Sequence, residues 1–259
     1  MLVKFASPHR IQIRCGLFSS PKTIGSKANL MPWSKNTIND GNDYDYNSFL
    51  RYLCGMFTEQ QEKWLKRVED LFLRLGIKSI TMDDVARELG ISKKTLYTFV
   101  ESKDDLVKKV LERHIGQEKI DCETMYHSAK NAIEEMYFVI ESNAQQMSQM
   151  KSNIVHDLQK YHHDAWEIMR EFQRGFLFKI VHANLERGVK EGLYRDDFDI
   201  NIVARLHIVT SFQLFDETIF PQNAFKRDVI FKEYLLHYMH GILSEKGRKF
   251  LQKTTIKTS

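Results

Sequence analysis

Only four prolines occur in the 259 residues, and three of them, Pro8, Pro21 and Pro32, stand near the N-terminus. Beyond Pro32 the single breaker of this kind is Pro221, so little in the body of the chain forbids long helices. Cysteine is equally scarce. Cys15, Cys54 and Cys122 are too few and too scattered for a disulfide framework or a metal site, which suits a reducing cytoplasm. No apolar run approaches the roughly eighteen residues that a membrane-spanning helix requires. There is no β-hairpin signal and no repeat of solenoid length. A nucleophile elbow, a phosphate loop, a dinucleotide fingerprint and an HExxH run are all missing, so neither enzyme activity nor a resident cofactor has a sequence feature to rest on.

Charge of one sign is also missing where it matters. The formal net charge is +4, but the first 58 residues hold seven Lys and Arg against three Asp, so the totals of 38 and 34 leave 31 of each sign in the remainder. Bulk attraction to phosphate therefore cannot drive binding to nucleic acid, and any such function must come from local pattern.

Residues 1–58 contain no acid before Asp40 and show little periodicity, which reads as a disordered extension. An organellar transit peptide shares the acid-poor composition but needs a helical period that is not evident. Two further readings stay open: translation starting at Met56, or a flexible extension that touches DNA.

The stretch from Thr81 to Val100, TMDDVARELGISKKTLYTFV, is the most specific feature. Thr81 followed by Asp84 has the spacing of a capping box, which predicts a helix from Met82. Val85, Ala86 and Leu89 fall at helical spacing, and Ala86 is small enough for a close crossing. Gly90 ends that helix and Ser92 caps a second one. Its inward set is Leu96, Phe99 and Val100, and Lys93, Lys94, Tyr97 and Thr98 lie on the other side. This is the outline of a helix-turn-helix, whose second helix enters the major groove.

Both flanks extend the pattern. Upstream, Trp64, Leu65, Val68, Leu71, Phe72 and Leu75 make an apolar stripe that Gly76 terminates. Downstream, Ser102 and Asp105 repeat the capping spacing ahead of Leu106, Val107, Val110 and Leu111. From Trp64 to Leu111 the chain resembles the DNA-binding domain of tetracycline-repressor (TetR) family regulators. The resemblance is carried by Leu71-Phe72 with Gly76, by TMDDVA and LGISKKTLY, and by Ser102-Lys103 with Leu106. Val68 stands where many members have a small residue. Phe99 stands where many members have a His or Tyr able to touch phosphate and cannot donate a hydrogen bond, so the resemblance does not carry that contact over, and a thymine methyl contact stays open. Val100 stands where Phe is common.

The resemblance implies an all-α protein with three parts: a helix-turn-helix domain over 59–102, a helical effector-binding and dimerisation domain over 103–248, and a flexible tail over 249–259. Lys93, Lys94, Thr95 and Thr98 are then candidates for base-edge or groove contacts, and Thr81, Ser92, Tyr97 and Lys103 for phosphate. Lys78 is placed to assist on the same side.

Beyond the connecting helix, the pattern predicts helices near 124–148, 151–162, 164–190, 200–219 and 225–244. Ile202, Val203, Leu206, Val209, Phe212 and Phe215, with Val229, Leu235, Leu236, Met239 and Ile242, make the last two apolar over wide arcs, as helices that meet a second protomer require. The resemblance implies a homodimer through this pair and a small apolar or amphipathic effector held between the other helices. Phe138, Met147, Met150, Tyr161, Trp166, Met169, Phe172 and Phe176 are candidates for that pocket, with ordinary core as the competing reading for each. His156, His162 and His163 point to different helix faces and read as solvated, not as metal ligands. Asp196, Asp197 and Asp199 read as turn and cap residues, and Gly188 with Gly192 as a helix end followed by a turn.

The expectation is a cytoplasmic, nucleoid-associated transcription regulator, binding a double-stranded operator as a homodimer and released from it by an effector. A DNA-bound adaptor of the same fold, which recruits a protein partner and has no small ligand, is the alternative. A helical enzyme or scaffold with a merely structural motif is a third.

Overall fold

A computed structural model of the protein describes residues 57–149 and 154–256. The N-terminal extension up to Met56, Met150, and the side chain of Met147 lie outside the described residues. Those described are helical, apart from turns and one isolated bridge between Tyr194 and Leu243.

The first four helices begin where side-chain caps begin them. Thr58 and Gln61 form a capping box ahead of α1 (Glu59–Leu75), and Gly76 closes it with φ 82°. Thr81 and Asp84 do the same for α2 (Met82–Leu89), which Gly90 ends in the left-handed region at φ 71°. The Ser92 hydroxyl accepts the Thr95 N–H at the start of α3 (Lys93–Phe99), and Ser102 accepts that of Asp105 at the start of α4 (Lys103–Ser128). Each such cap stabilises its helix by about 1 kcal/mol. Leu65, Val68, Phe72, Val85, Leu96, Val100 and Leu106 then close a common core among these helices.

The following helices are α5 (Ala132–Gln149), α6 (Ile154–Tyr161), α7 (His163–Phe172), α8 (Phe178–Lys190), α9 (Ile200–Gln213), α10 (Arg227–Ile242) and α11 (Glu245–Ile256). Several boundaries differ from the sequence expectation. The connecting helix α4 runs through 124 to Ser128, and the break falls at 129–131. There Ala129 is extended, Asn131 Oδ1 accepts the Glu134 N–H, and the Arg187 guanidinium holds the Ala129 carbonyl. The helix expected over 164–190 contains a π-turn at Gln173–Leu177 between α7 and α8. The α9 helix stops at Gln213, and a turn follows in which Asp216 binds the Thr218 N–H and hydroxyl. The flexible tail expected from 249 is helical to Ile256. Leu251 packs on the C-terminal core, and a Lys249–Glu245 pair spans one turn of the same helix.

Two hydrophobic clusters organise these elements. The first joins α1–α4 to α6 and α7 through Leu158, Ala165 and Phe172. The second joins α5, α8, α9 and α10 through Ile133, Leu185, Ala204, Leu235 and Met239. Between them the second half of α4, residues 117–128, carries no fully buried side chain.

The turn after α8 needs glycine twice. Gly192 has φ 68°, and Gly188 lies under the ring of Tyr194, whose hydroxyl donates towards the Ala132 carbonyl and Asn184 Oδ1 at 3.1 Å each. Asp199 caps α9 by accepting the Ile202 N–H.

Candidate nucleic-acid interface

The α2–α3 pair stands on a rigid base. Leu96 is fully buried and Val100 nearly so, which fixes the axis of α3 and turns Lys93, Lys94, Thr95, Tyr97 and Thr98 to the surface. Five of the eight sequence-selected residues thus share one exposed helix face, and Ser92 stands at its N-terminal end.

The polar side chains on this face differ in how far they are already engaged. The Ser92 and Thr95 hydroxyls lie 2.8 Å apart, and the Thr98 hydroxyl donates to the Thr95 carbonyl at 2.6 Å. Thr81 Oγ1 donates to Asp84 Oδ2 at 2.6 Å as part of its cap. The Lys93 ammonium meets Asp83 Oδ2 of α2 at 2.9 Å, and this bond raises the lysine's pKa. Lys94 makes no side-chain hydrogen bond or ion pair among the described residues. Lys103 is folded back. Its ammonium donates to the Ile80 carbonyl at 2.6 Å and lies 3.4 Å from that of Lys78, and partial burial lowers its pKa. Its present contacts tie α4 to the turn before α2, so reaching a phosphate would require it to leave them.

Phe99 turns inward. Its ring lies 6.3 Å from that of Phe57 and 6.2 Å from that of Trp64, with the Lys109 ammonium 5.8 Å above it. Phe99 thus belongs to an aromatic cluster that braces the end of α3.

Two groups of contacts escaped sequence reasoning because they join residues far apart in the chain. Buried Glu69 of α1 receives Arg113 and His114 of α4 at 2.9 and 2.8 Å. Burial works to raise the Glu69 carboxyl, but the hydrogen bond and charge of His114, with Lys66 and Arg113, hold it at about 2. The second group links α6 and the residue after it to the loop before α2 and to the start of α4. Asp157 Oδ2 accepts the Lys78 N–H at 3.0 Å, the Lys78 ammonium lies 5.0 Å over the Tyr161 ring, and His162 Nδ1 lies 2.5 Å from Asp104 Oδ1. Tyr161, expected in a pocket, is instead exposed at this junction, with its ring beneath the lysine and not against an apolar wall. His162, read from the sequence as solvated, is instead buried, with the Asp104 carboxylate as its partner.

The other pocket candidates divide. Phe138 is half-buried on α5. Trp166, Met169, Phe172 and Phe176 pack against the cluster that includes the DNA-reading helices. The π-turn stacks Phe172 on Phe176 at 5.5 Å, and the Lys119 ammonium of α4 lies 5.9 and 5.3 Å over these rings, with burial lowering it to about 8.

Comparison with known proteins agrees with this construction. Residues 66–110, from the middle of α1 into α4, match the sequence signature of bacterial regulatory proteins of the tetR family. The uncharacterized HTH-type transcriptional regulator YvaF of Bacillus subtilis (strain 168) is 37% identical over 95 residues, which is 36% of this chain and 50% of that protein. The chain thus spans about half the length of this curated relative. By structure it is similar to a TetR-family transcriptional regulator from Agrobacterium tumefaciens, with a TM-score of 0.60 at 16% identity, covering 71% of this chain and 98% of that one. It is also similar to FadR of Bacillus subtilis, solved in complex with stearoyl-CoA, with a TM-score of 0.54 at 13% identity over 70% and 99% of the two chains. At such identities the structural likenesses speak to the fold. No described helix is long and apolar enough to cross a membrane. Residues 66–110 thus carry the sequence signature of bacterial regulatory proteins of the tetR family, and the helical body around them is similar in fold to a solved TetR-family regulator.

Proposed function

We propose that the protein is a sequence-specific repressor that binds operator DNA as a homodimer and leaves it when a small effector binds. The observation that carries this reading is the exposed α3 face, Lys93, Lys94, Thr95, Tyr97 and Thr98, over a fully buried Leu96. Such a face presents donors to base edges from a helix that cannot roll. Ser92 and Thr81 stand beside it for phosphate, and Lys103 would join them only by giving up its carbonyl contacts.

The dimer is supported by α9. Ile202, Leu206 and Val209 are 57%, 60% and 60% exposed at a spacing that makes one stripe, with Val229 of α10 exposed as well. In such a dimer the two α3 helices would have to meet successive major grooves, about 34 Å apart.

Effector control is supported by the region between the two cores. The half-buried second half of α4, the Phe172–Phe176 stack and Lys119 offer apolar walls with a cationic group, which suits an amphipathic molecule. FadR of Bacillus subtilis was solved with a ligand of that character, stearoyl-CoA. The contacts of Asp157 on α6 to Lys78, and of His162 between α6 and α7 to Asp104, give a ligand a mechanical route to the DNA-reading end, since a shift of this corner must move or break them. One observation favours the adaptor instead: Trp166, Met169 and Phe172 pack with the DNA-reading core.

Selection of genomic fragments by the purified protein tests the reading. A few recurrent fragments with a two-fold repeated half-site, bound by the wild type and several-fold more weakly by Lys94→Ala at moderate salt, are expected. Binding spread over the chromosome without a common site favours the adaptor, and an unaltered Lys94→Ala gel shift removes that lysine from the interface.

A further inference from the structure

We propose that Asp83 is a specificity-determining residue of the DNA-reading surface, acting by holding the Lys93 ammonium so that it serves a base edge in the operator and not the phosphates of any DNA. The proposal rests on the DNA-binding reading above.

The two acids in the first turn of α2 have different employment. Asp84 is taken up by the cap, where its carboxylate accepts the Thr81 N–H and hydroxyl and pairs with Arg87. Asp83 has no part in that cap. Its carboxylate reaches across the Gly90 turn to Lys93, the first residue of α3, at 2.9 Å. The side chains of Lys93 and Asp83 remain 50% and 63% exposed, so the pair sits on the surface that α3 presents and not beneath it.

A lysine with no partner adds to affinity for every DNA alike, because each phosphate it neutralises releases condensed counter-ion, with a salt slope of about 0.9 per contact. Lys93 already has its counter-charge. To meet a phosphate it must abandon a surface pair worth up to about 1 kcal/mol and leave a carboxylate facing the DNA backbone. On random sequence the exchange gains little. An ammonium has three donors, however, and Asp83 occupies one, so a tethered Lys93 keeps two for acceptors that lie in the right place. Guanine O6 and N7 in the major groove are such acceptors. The pair therefore suppresses the sequence-independent part of Lys93's contribution and preserves the sequence-dependent part. With the 31 basic and 31 acidic residues after position 58 in balance, such local control of one lysine weighs more than it would on a strongly basic surface.

Asp83→Asn, Lys93→Ala and the double variant test this by salt titration on two duplexes: a fragment selected by the wild-type protein, and a scrambled duplex of the same length and composition. Asp83→Asn is expected to bind the scrambled duplex about fivefold more tightly at low salt. Its plot of log affinity against log salt there should steepen by about 0.9 for each α3 engaged. Its preference for the selected fragment should fall several-fold. In the Lys93→Ala background the same substitution should leave the preference unchanged and tighten both duplexes alike, since only the repulsion between the Asp83 carboxylate and phosphate is left to relieve. An unchanged preference in Asp83→Asn, or a fall in preference that persists undiminished without Lys93, overturns the proposal alone, since Asp83 would then be idle or act without the lysine. A wild-type protein that prefers no genomic fragment to the scrambled duplex overturns the DNA-binding reading and the proposal with it.

Discussion

The ring of Tyr194 rests on the backbone of Gly188 so closely that a Cβ at Gly188 would fall 2.0 Å from Cδ2 of the ring. This contact closes the turn after α8, and the tyrosine hydroxyl ties the same point to α5 through the Ala132 carbonyl. Gly188→Ala should therefore destabilise the C-terminal core by about 3 kcal/mol, because the buried ring has no room to yield. Urea unfolding of the variant beside the wild type measures this. A loss under about 1 kcal/mol would show that the turn can open without cost.

Stability should depend on pH through the Glu69–His114 pair. The Glu69 carboxyl is held at about 2 against an ordinary 4.5, so its contribution is complete above the ordinary value and is lost as pH falls from there towards 2. Burial works to lower His114, but Glu69 outweighs it and raises its pKa above 6.5, so that contribution is complete below 6.5 and is lost as pH rises through the raised value. The pair is strongest between these limits. Glu69→Gln should cost about 3 kcal/mol near pH 5.5 and flatten both limbs of the profile, as read from urea midpoints across that range.

Asp157 ties α6 to the DNA-reading domain through a backbone amide, which gives a local readout. In Asp157→Ala the Lys78 N–H loses its acceptor, and its hydrogen exchange should accelerate more than that of amides elsewhere in α1–α3. The loss in overall stability should be about 1 kcal/mol. Exchange at Lys78 equal to that of the wild type would count against α6 as the link between the two parts.

Leu206→Glu places a charge in the middle of the exposed α9 stripe, on a side chain that contributes little to the protomer's own core. The expected result is a shift from dimer to monomer in sedimentation velocity with the helical circular dichroism retained. Operator affinity should then fall by more than tenfold, since the two half-sites are no longer bound together. A variant that remains dimeric would move the interface off α9.

Helix starts were legible in the sequence because a cap is a conversation between neighbours. Thr81 with Asp84, Ser92 with Thr95, and Ser102 with Asp105 are each three residues apart, and each starts a helix where the spacing places it. The inward set Leu96, Phe99 and Val100 was legible for the same reason. The break between α4 and α5 was not, because part of what fixes it is Arg187, far along the chain, which holds the Ala129 carbonyl. The Lys93–Asp83 and Glu69–His114 pairs were equally invisible, since no periodicity specifies which acid a base will meet across a turn or between helices. Tyr161 was misplaced because an aromatic at helical spacing looks the same whether it faces a cavity or an exposed lysine.

The π-turn at Gln173–Leu177 keeps two cores in phase. Ala165 and Phe172 before it serve the cluster containing the DNA-reading helices, Phe178 and Leu185 after it serve the other, and Leu177 touches both. Removing one residue there would restore a regular helix and rotate one half against the other by about 100°. Either stripe could then face its partners, but not both, so a single surplus residue sets the angle at which the two cores are joined.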